Sequence, residues 1–130
     1  MIANREDPRR ALKRLLANGP LTAVPKRPAD QQLLLVLAAA RFESQRAYRE
    51  AEVNEILKTW LETFCEPYGI DHVTLRRMLV DARLLKRPKS GASYEVDSQE
   101  LGEAAAMSQP AEVLAEIRSE RASRKQQRPA

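Results

Sequence analysis

Between Tyr48 and Tyr94 the chain changes its periodicity three times, and the order of the changes limits what it can fold into. From Glu50 to Phe64 the apolar residues Val53, Ile56, Leu57, Trp60, Leu61 and Phe64 recur every three or four positions, the mark of an amphipathic helix. Pro67 and Gly69 break it. Asp71 is a good cap for a second helix, His72 to about Arg83. There Leu75, Met78, Leu79 and Ala82 fall in a narrow inward arc. Arg77 points almost directly away from that arc, Val73 and Val80 lie beside it, and Arg76 sits at the boundary. Leu84 to Lys86 and Ser93 to Val96 then pair as two short strands around Pro88-Lys89-Ser90-Gly91. Helix, turn, helix and hairpin in this order predict a mainly α fold with a small β-hairpin. This is a winged helix-turn-helix-like core with flanking N- and C-terminal helices.

The flanks are less regular. Residues 1–29 read as a basic helix and a proline-rich linker, 30–96 as the core domain, and 97–130 as an Ala/Glu-rich segment with a short helix and a disordered basic tail. Asp7 caps the first helix, Pro8 suits its first position, and Leu12, Leu15 and Leu16 share one face. Arg5, Arg9, Arg10, Lys13 and Arg14 fill the rest of it, either as a phosphate-touching arm or as a solvated face. Asp30 reads as the cap of the next helix, Gln31 to about Arg41, whose Leu33 to Leu37 run is apolar on nearly every side. Such a helix needs cover on several faces, from the first helix or from a second subunit. Pro110 starts a last helix bearing Val113, Leu114 and Ile117, and no large apolar residue follows.

The net charge of +4 is unevenly spread. Residues 1–29 carry +5, while residues 30–96 hold ten basic and ten acidic groups. Within the core, Glu43 to Glu66 has six acids against Arg46, Arg49 and Lys58. Asp71 to Lys89 has Arg76, Arg77, Arg83, Lys86, Arg87 and Lys89 against Asp71 and Asp81. A neutral core is weak support for nucleic-acid binding, but a basic pole on the second helix and hairpin is what a duplex-binding surface needs. One acidic and one basic helix is also a common solvated arrangement.

No apolar run approaches the roughly 20 residues of a membrane span, and the N-terminus lacks the apolar stretch of a secretory signal. A single cysteine, Cys65, fits a reducing compartment, so a cytoplasmic protein is expected. One His and one Cys cannot build the usual structural zinc site, and no glycine-rich phosphate loop is present. Cys65 and His72 form an imaginable nucleophile pair with no third orienting group. The sequence therefore predicts a non-enzymatic protein without metal or cofactor. Trp60 reads as core rather than as a base-stacking platform.

Tyr48-Arg-Glu-Ala-Glu-Val-Asn-Glu-Ile-Leu-Lys58, then Asp71-His-Val-Thr-Leu-Arg-Arg-Met-Leu-Val-Asp81 and a closing Tyr94, resemble a bacterial domain-of-unknown-function family, the one numbered 2087. The resemblance covers about Pro25 to Val96. It implies a small winged-helix-like module in the company of transcription regulators and implies no known activity. Val53, Asn54, Ile56 and Leu57 match its first block; Asp71, Leu75, Arg76, Arg77, Leu79, Val80 and Asp81 match its second. Three features depart from an ideal fold of this kind. Arg49 stands where a Ser or Thr cap is expected, Arg83 stands where a Gly would end the helix, and Phe64 to Ile70 is a long turn.

The functional expectation is double-stranded DNA as partner and transcription regulation as role. His72, Thr74, Arg76 and Arg77 would line the recognition helix, and Lys86, Arg87 and Lys89 would carry the wing contacts. Arg76 or Arg77 also suits a structural pairing with Asp81, four residues after Arg77, or with a glutamate of the preceding helix; the structural role is favoured for Arg76, and Arg77 is open to either. The alternative is an interaction or dimerisation module that keeps the fold without groove binding. Leu12, Leu15 and Leu16 would then meet a second copy or a regulatory partner.

Overall fold

A computed structural model of the chain describes residues 7–43, 46–87, 93–96 and 109–127. The elements are α1 (Pro8–Leu15), α2 (Pro28–Ala39), α3 (Glu50–Glu62), α4 (His72–Asp81), β1 (Leu85–Lys86), β2 (Glu95–Val96) and α5 (Pro110–Gln127). The fold is thus mainly helical with a small antiparallel hairpin, an arrangement consistent with a winged helix.

Leu75 and Leu79 of α4 and Val53 and Leu57 of α3 are all fully buried at the centre of the core. Leu34, Leu35 and Leu37 of α2 join them, and Leu33 and Val36 pack half-buried against the same cluster. The all-round apolar character of α2 is satisfied within one chain. Trp60 is core, edge-on to Phe64 with ring centroids 4.6 Å apart, and its indole N–H donates to Gln109 at 3.4 Å.

The start of α2 differs from the sequence expectation. Pro28 opens the helix, because its fixed φ and missing N–H suit the first position. Asp30 is therefore not the cap. It lies inside the first turn, buried, and accepts from both Arg14 amino groups at 2.7 and 3.2 Å. Arg9 and Lys13 of α1 are likewise committed to the chain itself, while Arg10 is exposed and Arg5 lies outside the described residues. Arg9 and Lys13 pair with Glu116, and Lys13 lies 3.6 Å from Glu120. Partial burial would raise the Glu116 carboxyl, but the hydrogen bonds from Arg9 and Lys13 outweigh it and hold the group below its ordinary value.

Two further expectations are corrected at the flanks. Leu12 and Leu16 are buried and Leu15 half-buried within the monomer, so this face is not available to a second copy. Val113, Leu114 and Ile117 of α5 are buried in the same way. The last helix does not stop soon after Ile117 but runs to Gln127. Its distal residues are good helix formers, Glu116 and Glu120 are anchored to α1, and Arg121 donates to the Ala17 carbonyl beyond the end of α1.

Local signals at α3 and α4 explain their ends. At Arg49 half a capping box forms: Glu52 accepts from the Arg49 N–H at 3.0 Å, and a guanidinium, having no acceptor, cannot return the bond. Asp71 caps α4 by accepting from the Thr74 N–H and hydroxyl, both at 3.2 Å, and these bonds hold its carboxyl below the usual value. At the far end Arg83 adopts φ 63°, with Arg83 N–H bonded to Val80 O and Leu84 N–H to Leu79 O, each at 3.0 Å. That is a Schellman motif with arginine in the glycine position. The helix accordingly ends at Asp81, two residues before the sequence expectation.

The hairpin pairs Leu85 with Val96 and Lys86 with Glu95. Tyr48 adds a bridge on the other side, exchanging both backbone bonds with Tyr94 at 2.8 and 2.9 Å. The turn expected at Pro88 to Gly91 lies outside the described residues.

Two stability changes follow from this geometry. Arg83→Gly relieves the left-handed strain, against a gain in unfolded-state freedom, and stabilises by about 0.5–1 kcal/mol in urea unfolding. Arg14→Met strands the buried Asp30 carboxylate and costs about 2–3 kcal/mol. Asp30→Asn leaves a guanidinium that reaches water and costs about 1 kcal/mol. Equal losses in the same urea experiment would contradict the burial asymmetry.

Candidate nucleic-acid interface

Successive residues on a helix differ by about 100° in direction, so Arg76 and Arg77 of α4 cannot share a fate. Arg76 turns inward, with only 14% of its side chain exposed. It donates to the Asn54 side-chain carbonyl on α3 and lies 3.7 Å from Glu50. Glu50 also accepts from the Tyr94 hydroxyl at 2.9 Å. Burial, followed by this carboxylate, pushes the Tyr94 phenol up from its ordinary value. The resulting network joins α3, α4 and the residue that leads into the second strand of the hairpin.

Arg77 turns outward. It is exposed and makes no ion pair or hydrogen bond among the described residues. Thr74 and Asp81 are exposed on the same side of α4. The Thr74 hydroxyl is engaged with the Asp71 carboxylate, and Asp81 places an acid one turn from Arg77 without pairing to it. His72 is half-buried, with its Nδ1 3.9 Å from Asp71, and lines a groove beside the α3–α4 turn rather than the Arg77 face.

Of the hairpin residues, Lys86 is exposed and stands opposite Glu95, while Arg87 is exposed at the end of the strand. Lys89 lies outside the described residues. Only the Schellman turn separates α4 from the first strand, so Arg77, Arg83 and Arg87 sit on adjacent elements. Arg83 is a cation that the list of expected contacts left out. Its position past the helix end was visible in the sequence, but its outward display depends on the positive φ.

Burial pushes the Cys65 thiol up to about 12, so at neutral pH it is protonated and not activated as a nucleophile. Among the described residues no three His, Cys, Asp or Glu side chains cluster in a way that could hold a metal ion. None of the described helices is long and apolar enough to cross a membrane.

The fold defines a small helical domain with a hairpin, with Arg77, Arg83, Lys86 and Arg87 exposed on α4, the turn after it and the first strand. The chain belongs to the family described as an uncharacterized protein conserved in bacteria, DUF2087, whose family model matches residues 20–96. No curated protein and no solved structure matches the chain. The match starts at the segment in which Leu21 accepts from Glu66 at 2.8 Å and donates to Phe64 at 3.0 Å, strapping the α3–α4 turn to the linker.

The opposite fates of the two arginines give a direct test. Arg76→Met removes bonds to Asn54 and Glu50 and destabilises by about 1–2 kcal/mol. Arg76→Lys recovers little, because an ammonium cannot reproduce the fork. Arg77→Met changes stability by less than about 0.5 kcal/mol. Urea unfolding of the three variants checks the ranking.

Proposed function

We propose that the protein is a non-enzymatic DNA-binding module of winged-helix type that acts in bacterial transcription regulation. The observation that carries this reading is the division of labour on α4. Arg76 is spent on holding the helix, and Arg77 is left outward and unpaired among the described residues. A guanidinium in that position reaches a guanine edge or a phosphate in the major groove. Arg83, Lys86 and Arg87, which follow on the turn and first strand, contact the flanking phosphates, with Lys89 continuing the same run in sequence. Thr74 sits at the start of the helix, where its backbone and methyl group face the duplex. Catalysis is not part of the reading, and the raised Cys65 thiol supports leaving it out.

A second reading, an interaction module without groove binding, draws on Asp81. This acid shares the exposed side of α4 with Arg77 and lowers its attraction for phosphate.

The test is a selection of duplexes from random DNA at physiological salt, followed by fluorescence anisotropy on the enriched sequence. The wild type is expected to bind with an affinity that falls steeply with salt, by close to one power of salt concentration per phosphate contact. Arg77→Glu should lower affinity at least ~10-fold. Arg87→Glu should weaken all duplexes alike and flatten the salt dependence. Failure to enrich any sequence, or an enriched duplex that Arg77→Glu binds like the wild type, would overturn the DNA reading in favour of the second.

A further inference from the structure

The groove that takes His72 away from the Arg77 face is a surface in its own right. It lies along the α3–α4 turn, has a volume of about 800 Å³, and is lined by Leu61, Cys65, Pro67 and Ile70 on its apolar part. Leu61 and Ile70 are buried and Cys65 is half-buried, so the apolar part is continuous with the core. The exposed charges around it are Glu62, Glu66 and Asp71 against Lys58 alone. This is the opposite sign to the exposed Arg77, Arg83 and Arg87, and it repels a polyanion.

Tyr68 projects from the same turn. It is the one large apolar side chain standing fully exposed among the described residues, and it does so at φ 64°. The turn cannot relax to hide it. Gly69 donates to Glu66 at 3.0 Å, Glu66 donates to Leu21 at 2.8 Å, and a Cβ on Gly69 would meet the Glu66 and Leu21 carbonyls at 3.0 Å. An aromatic displayed from a left-handed backbone position beside an apolar groove suits recognition rather than packing.

We propose that this groove is the docking site for a short cationic segment of another protein, with one aliphatic or aromatic side chain anchored against Leu61 and Ile70 and flanking Lys or Arg residues set against Glu62, Glu66 and the Tyr68 ring. The volume fits a few side chains, not a folded domain. The three carboxylates select positive charge, and the tyrosine face adds a cation–π contact. The site is independent of the DNA reading, since it uses a different edge of α4 and charge of the opposite sign.

The experiment pans a random dodecapeptide phage library on the full chain, with counter-selection on Tyr68→Asn. Asparagine tolerates the left-handed backbone, so this variant folds with an unfolding midpoint equal to or above that of the wild type. Enriched peptides are expected to carry net positive charge and an apolar residue, and to shift NMR resonances within residues 58–72. They should bind Tyr68→Asn and the Glu62→Gln/Glu66→Gln pair about 10-fold more weakly, and bind Arg77→Glu like the wild type. No enrichment over the variant, enriched acidic sequences, or shifts confined to residues 74–87 would overturn the proposal. So would a wild-type dimer by sedimentation that Tyr68→Asn abolishes, because the occupant would then be a second copy.

Discussion

The Arg76 guanidinium sets the rotation of α4, and the outward surface follows from that rotation. Leucine packing buries the inner face of α4, but apolar attraction itself carries no direction. Hydrogen bonds are directional. The bond from Arg76 to Asn54 and the approach to Glu50 fix α4 against α3, and the Tyr94 hydroxyl on Glu50 fixes the hairpin against both. Asn54 falls in the first block through which the chain resembles its family, Arg76 in the second, and Tyr94 closes the match. Much of the sequence signature is therefore a device for orienting α4, and the outward residues are what that device presents.

The flanking helices meet a different constraint. Residues 20–96 form a small core built mainly from aliphatic side chains, and such a core leaves much of its surface exposed. Helices α1 and α5 lie outside the matched region and pack on one another. Their buried face is Leu12, Leu16, Val113, Leu114 and Ile117, and Trp60 reaches Gln109 just ahead of α5. The ion pairs at the α1–α5 contact are mostly exposed and add modest energy. Their larger effect is on register: Arg9 and Lys13 are one turn apart, as are Glu116 and Glu120, so only one alignment pairs them.

What the sequence made legible was local. The amphipathic stripes of α3 and α4, the Asp71 cap, the hairpin strands and the awkward Arg83 all rest on signals within a few residues. What it hid was long-range. Asp30 has the composition of a cap, and only its partner sixteen residues away, together with the prior claim of Pro28, makes it a buried counter-ion. The exposed end of α5 lacks apolar periodicity, so its helix depends on partners in α1 that lie more than a hundred residues away. The structural role of Arg76 could be suspected from its place at the edge of the apolar arc, and Glu50, a glutamate of the preceding helix, proved to be one partner. Tyr68 gave no sign, because nothing in a tyrosine codes for positive φ; the turn around it imposes that conformation.

The charge pattern is where these threads meet. Counted along the chain, the core is neutral, which argues against any single electrostatic role. In three dimensions the cancellation is between separate places. Glu62, Glu66 and Asp71 line the groove at the start of α4, while Arg77, Arg83 and Arg87 are exposed on α4, on the turn that ends it and at the end of the first strand. At physiological salt, exposed charges more than about 8 Å apart are largely screened from one another, so the two groups act as local surfaces rather than as a net zero. Asp71 stands at the junction. Its carboxylate is fixed by Thr74 at the first turn of α4, where it satisfies the free N–H groups that would otherwise attract a phosphate. An anion is thereby discouraged at the start of α4.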